Sequence, residues 1–124
     1  MGKRFFICEH CGNIIAMIRD NGVAVQCCGE NMKEILSVTN NGAEEKHIPV
    51  YNVKDSKVTV TVGAVEHPMV PEHYIEWVCL ETEDGFQYKQ LQPNTAPKVS
   101  FFISEKEKIK AVYAFCNMHS LWKA

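Results

Sequence analysis

The sequence predicts a mainly β protein in two parts: a small four-cysteine metal-binding domain over residues 1–37, then an antiparallel β-sandwich over residues 38–124. Three observations carry this reading. Cys8-Glu9-His10-Cys11 and Cys27-Cys28 place four thiols in the first 28 residues, paired as metal ligands usually are. In the second part, short apolar runs recur between turn signals, and Val58, Val60 and Val62 alternate with Thr59 and Thr61 as in a half-buried strand. No stretch carries a convincing helical period.

Taken in order, residues 3–7 form a short strand that runs into the first cysteine pair. Residues 13–19 are a second apolar strand, closed by the turn signal Asp20-Asn21-Gly22. Residues 23–26 are a third strand ending at Cys27-Cys28-Gly29, and residues 32–36 complete the unit. So short a piece buries too little apolar surface to be secure alone, and a bound metal supplies the missing constraint. Residues 37–45 are polar and turn-rich and read as a linker. Strands follow at 50–53, 58–62, 74–81, 86–91 and 99–103, and 109–115 is the last. In 74–81, strict alternation puts Ile75, Trp77 and Cys79 on one face and Val78 and Leu80 on the other. The charged run 104–108 reads as a solvated turn. About seven strands at this spacing describe a small sandwich.

Composition excludes several classes. Apolar content of 46% and charged content of 23% belong to a soluble globular protein. A formal net charge of −2 gives no electrostatic reason to bind nucleic acid or an anionic membrane. The apolar runs fall far short of a transmembrane span of about 20 residues. The N-terminus has Lys3 and Arg4 but no apolar signal-peptide region, so a cytoplasmic protein is expected. That compartment argues against disulfides, and a bridge between the neighbours Cys27 and Cys28 would be strained.

Two groups of residues carry chemistry. Cys8, Cys11, Cys27 and Cys28 offer four sulfurs, and each pair is followed by a glycine that lets backbone amides turn toward the thiolates. Four thiolates suit zinc or a single iron, and the residues alone leave both open. His10, between two of these cysteines, reads as a solvent-facing loop residue. The second group centres on Cys116-Asn117-Met118-His119, a thiol and an imidazole sharing one turn. A turn cannot fill a coordination sphere, and His47, His67 and His73 lie near Pro49, Pro68 and Pro71, where the backbone is rigid. The working hypothesis is one metal held by four imidazoles and one thiolate. Each histidine taken alone is better read as a surface or capped loop residue, and it is the set that points to a metal. Cys79, mid-strand beside Trp77 and Val78, reads as a buried structural thiol.

The sequence resembles the desulfoferrodoxin family, the two-iron class of superoxide reductase, over its whole length. Cys8-x-x-Cys11 with Cys27-Cys28 is similar to that family's desulforedoxin-type iron site. Glu45-Lys46-His47-x-Pro49, His67-Pro68-Met69, His73-Tyr74 and Cys116-Asn117-x-His119 are similar to its catalytic motifs. The resemblance implies two irons per chain. One would sit in the four cysteines of a desulforedoxin-like domain. The other would take equatorial imidazoles from His47, His67, His73 and His119 and an axial thiolate from Cys116. It further implies an immunoglobulin-like sandwich, a homodimer, rubredoxin-type electron donors, Glu45 as a reversible sixth ligand, and one-electron reduction of superoxide to hydrogen peroxide. Lys46, beside His47, would attract the anion and help deliver protons. Zinc can replace iron in purified protein of this kind. Competing readings are a rubredoxin-like electron carrier, a zinc-stabilised binding module and a superoxide dismutase. Without the resemblance, Glu45 and Lys46 read as a surface ion pair.

Overall fold

The computed structural model describes residues 2–38, 47–63 and 67–124, and all regular structure among them is β. The chain divides into two compact units, Met1–Leu36 and Ser37–Ala124.

In the first unit, β1 (Arg4–Ile7) is the centre of a three-stranded antiparallel sheet, flanked by β2 (Ile14–Met17) and β5 (Lys33–Ile35). Phe5 on β1 faces Ala16 on one side and Ile35 on the other. Phe5, Cys8 and Ile35 are its buried residues of apolar type. Arg4 holds the sheet's edge through ion pairs to Glu34 at 2.8 Å and to Asp20. A two-residue hairpin, β3 (Gln26–Cys27) with β4 (Glu30–Asn31), presents the second cysteine pair. The expected strand over residues 23–26 is therefore mostly absent. Met32 donates one amide hydrogen bond to the Val25 carbonyl, and the ladder stops there. The chain must reverse at Cys28-Gly29, which shortens both arms. Val23 is left 76% exposed despite its apolar side chain.

The second unit has seven strands among its described residues. β7 (Lys57–Val62) lies between β6 (Pro49–Lys54) and β10 (Lys98–Phe102). β8 (Ile75–Thr82) and β11 (Ile109–Cys116) are the central strands of a four-stranded sheet with β9 (Phe86–Gln90) and β12 (Ser120–Lys123) at its edges. All ladders are antiparallel. The β6–β7 hairpin turns through Asp55 and Ser56, both at positive φ, as a two-residue turn between right-twisted strands requires. Val58, Val60, Val62 and Phe101 from one sheet meet Val78, Leu80, Val112 and Ala114 from the other in one buried cluster. Burying each such side chain stabilises by about 1.5–3 kcal/mol, so this unit has a core of its own.

Three sequence expectations need correction here. First, 109–115 is not the last strand: β12 returns along β11, and the turn expected between Cys116 and His119 is the hairpin turn that joins them. The short polar-aromatic stretch Ser120–Lys123 gave no periodic signal. Second, strict alternation fails in β8. Trp77 faces Phe115 and Ile75 faces Cys116, which leaves Glu76 as an extra residue, a β-bulge. Ile75 consequently joins Val78 and Leu80 in the core, while Trp77 stacks on Phe115 at 5.3 Å. Third, the charged turn at 104–108 does more than face water. Glu107 accepts from the Ser104 amide (3.0 Å) and the Thr82 hydroxyl (2.5 Å), tying two hairpin ends together.

Candidate metal centres

The thiol groups of Cys8, Cys11, Cys27 and Cys28 lie within 4.8 Å of one another. Local backbone geometry explains how so few residues achieve this. Gly12, at φ 84°, donates its amide to the Cys8 carbonyl at 2.8 Å and closes a tight knuckle around the first pair. Neighbouring residues in a strand point to opposite faces, so Cys27 and Cys28 could not both reach one site from a regular β3. Cys28 at φ 53° and Gly29 at φ 79° break the alternation and swing the second thiol back. The amides of Cys11 and Asn13 donate to Cys8 and Cys11 sulfurs at 3.5 Å, and the Asn13 carboxamide to Cys27 at 3.8 Å. The Cys11 amide, with that of His10, draws the Cys8 thiol down to about 6, while the neighbouring sulfurs, Cys8 foremost, push Cys28 up to about 12. Such a cluster cannot ionise fully by itself, and a soft cation resolves the conflict. All six cysteines are free, so no disulfide competes. His10 is solvent-facing and pairs with Glu30 at 3.2 Å.

The second group is built at the end of the sandwich where β11 turns into β12. His47, His67, His73 and Cys116 bring their ligand-type atoms within 4.8 Å of one another. His119 completes the set, with Nδ1 3.1 Å from His47 Nε2 and 3.8 Å from Cys116 Sγ. The four imidazoles form a ring. Neighbouring centroids are 4.7 Å (His47–His67), 4.8 Å (His67–His73), 4.9 Å (His73–His119) and 4.8 Å (His119–His47) apart. The diagonal from His47 to His73 is longer, 6.4 Å. Each ring stands steeply to its neighbours, at 71–82°. Cys116 is fully buried, and its position in the core follows from the bulge that pairs it with Ile75.

These groups fit a cation. His67 Nδ1 donates to the Pro68 carbonyl at 2.7 Å, so the unprotonated nitrogen is Nε2. That Nε2, and Nε2 of His73, are buried with no hydrogen-bond partner among the described residues. Buried ring nitrogens stranded in this way are costly, and the bare lone pair of His67 calls for something electropositive to meet it. Burial pushes His67 down to about 4 and lowers His73, so both are neutral ligands at ordinary pH. Burial also pushes the Cys116 thiol up, against the pull of the Met118 and His119 amides. His119 and Met118 are exposed, which leaves one side of the ring open among the described residues. Glu45 and Lys46 lie outside the described residues. Cys79 is buried mid-strand and pushed up to about 12 by burial, as an inert structural thiol is.

Sequence reasoning passed over two supporting residues. Trp122 stacks on the His47 ring at 4.6 Å and donates its indole N–H to the His119 carbonyl at 3.0 Å. Asn117 bridges from its turn to Glu72 and Tyr74. An aromatic residue three positions after His119 is a faint signal, because nothing nearby in sequence points to His47.

Fold and centres together define an all-β protein with one four-thiol site and one site of four imidazoles and a thiol. Residues 39–124 match the desulfoferrodoxin family, and this chain belongs to it. It is 43% identical to the desulfoferrodoxin of Nitratidesulfovibrio vulgaris over 118 residues, covering 94% of this chain and 91% of that one. It is 37% identical to that of Clostridium acetobutylicum over 119 residues, covering 96% and 93%. Among solved structures, the superoxide reductase of Treponema pallidum superposes with a TM-score of 0.86 at 37% identity, covering 99% of this chain and 98% of that one. The one-iron superoxide reductase of Giardia intestinalis superposes with a TM-score of 0.55 at 31% identity, over 64% of this chain and 95% of its own.

Proposed function

We propose that this chain is a cytoplasmic superoxide reductase that converts superoxide, one electron and two protons into hydrogen peroxide without releasing oxygen. The observation that carries the reading is the ring of four imidazoles beside a buried cysteine sulfur. The metal is iron, held by His47, His67, His73, His119 and Cys116, and a second iron is held by Cys8, Cys11, Cys27 and Cys28. Iron in the histidine centre supplies the single electron that reduces superoxide. Zinc is the expected contaminant in either site.

The chain's own residues do the rest. Four neutral imidazoles leave a divalent charge unquenched, and one thiolate reduces it to about one positive unit, so a small anion is drawn to the open side. His67 does not compete for the incoming proton, because burial disfavours the imidazolium more strongly than the Nδ1–H bond to Pro68 favours it. Cys116 would hold the iron through a buried sulfur, which would supply electron density to it. Lys46 would steer the anion and deliver a proton, and Glu45 would serve as a further, reversible ligand. The electron comes from a rubredoxin-type donor, and the protein acts as a homodimer. The four-cysteine centre serves first as the staple of a unit whose buried apolar core is little more than Phe5 and Ile35.

The test mixes pre-reduced, iron-loaded protein with a known amount of superoxide and assays peroxide and oxygen. The expected result is one peroxide per superoxide and no oxygen. Half that peroxide, with oxygen, would mean dismutation. No reaction above the spontaneous background would leave an electron carrier.

A further inference from the structure

We infer that Asn117 is a positioning residue for the histidine centre: its carboxamide sets the placement of His73 relative to Cys116. The inference rests on the reading of this centre as a metal site and adds a determinant of it.

The four histidines are not secured alike. His67 is oriented by its own ring, through Nδ1 and the Pro68 carbonyl. His47 is stacked on Trp122, and His119 shares the hairpin turn with Cys116. His73 sits outside any strand, before β8, and its buried Nε2 has no hydrogen-bond partner among the described residues. Its loop is closed on itself by two backbone bonds between Val70 and His73, at 3.0 and 3.1 Å. Those bonds shape the loop but do not place it against the cysteine turn.

Asn117 does. Its Oδ1 accepts from the Tyr74 amide at 3.0 Å, and its Nδ2 donates to the Glu72 carbonyl at 3.1 Å. Its own amide donates to the Tyr74 carbonyl at 3.2 Å. The residues on either side of His73 are thereby tied to the residue that follows Cys116. The partners are far apart in sequence, 43 and 45 positions, so this is a tertiary strap. A carboxamide suits the task because it carries a donor and an acceptor on one short planar group. Aspartate has only acceptors, and one of its oxygens would meet the Glu72 carbonyl. The orientation of the amide follows from its partners, since the flipped form would set donor against donor and acceptor against acceptor. All three bonds go to backbone, so Asn117 acts through the chain it holds.

The test compares iron-loaded wild type, Asn117→Ala and Asn117→Asp. It follows chelator-driven metal release from the histidine centre and the energy of the sulfur-to-iron charge-transfer band. The four-cysteine centre of the same chain reports folding. Outer partners of metal ligands typically govern affinity by 10–100-fold, so Asn117→Ala should speed release by about tenfold or more. The charge-transfer band should shift, and the four-cysteine spectrum should stay unchanged. Asn117→Asp, which keeps one of the two side-chain bonds, should also release faster than wild type. Should the alanine variant not fold, the aspartate variant carries the test alone. Release and band position equal to wild type would overturn the positioning role and leave the metal centre intact. Wild-type protein that fills its four-cysteine centre but retains no metal at the histidines would overturn the metal-centre reading and this inference with it.

Discussion

His67 is held neutral by burial, against the pull of its bond to Pro68. Burial disfavours its charged form, and the Nδ1–H bond to Pro68 leaves Nε2 as the bare nitrogen. In metal-free protein, nitrogen-resolved NMR should therefore find the Nδ1–H tautomer and no protonation until the pH approaches about 4. The sign of the stability effect follows. An unfolded histidine takes up its proton near the ordinary value of 6.5, before the folded one does, so the metal-free fold loses stability as pH falls from 6.5 toward about 4. A His67 resonance titrating near 6.5 in folded protein would contradict this environment. Cys116 is the complementary case, a fully buried sulfur beside the ring. Cys116→Ser should abolish the sulfur-to-iron charge-transfer band and most of the activity. Full activity in that variant would reject a role for the sulfur.

At the scale of elements, irregular backbone places the chemistry. The bulge at Glu76 turns Ile75 into the core and sets Cys116 opposite it, and the β11–β12 turn carries His119. In the first unit, Cys28 and Gly29 at positive φ bring two adjacent thiols to one point. A Cβ at Gly29 would meet nothing within 4 Å, so Gly29→Ala costs backbone strain without a clash. That strain is about 1–2 kcal/mol for a left-handed residue with a Cβ. Urea unfolding of the first unit should show a loss of this size, with the four-cysteine spectrum retained in the folded protein. A loss far larger would mean that Gly29 has a contact the open space around it does not show.

For the molecule as a whole, net charge is a poor guide to what it attracts. The chain carries −2, yet the proposed substrate is an anion. Exposed charges more than about 8–10 Å away are largely screened at physiological salt, so the field at the ring's open side decides. Lys46→Ala should accordingly slow superoxide capture most at low ionic strength and leave the metal spectra unchanged. A capture rate insensitive to this substitution in dilute buffer would remove Lys46 from the steering. The two-unit build also gives each unit its own scaffold for its own ligand set, the four cysteines in Met1–Leu36 and the histidines with Cys116 in Ser37–Ala124.

The sequence by itself determined the β class, the two ligand sets and the strands flanking them, because hydrophobic alternation, turn residues and cysteine spacing are local signals. Val58, Val60 and Val62, Asp55-Ser56 and Cys8-x-x-Cys11 can each be read without knowing a partner. Tertiary structure alone decided which face Ile75 takes, because a bulge is defined by the opposite strand. It also decided that Ser120–Lys123 is a strand, because its hydrogen bonds come from β11 rather than from its own pattern. The supports of the histidine ring belong to the same class. Trp122 meets His47, and Asn117 meets Glu72 and Tyr74, only once distant segments are packed side by side. Ligand identity is a property of residue type and spacing. The ring that holds four imidazoles steeply inclined around one point is a property of packing, and no short stretch of sequence contains it.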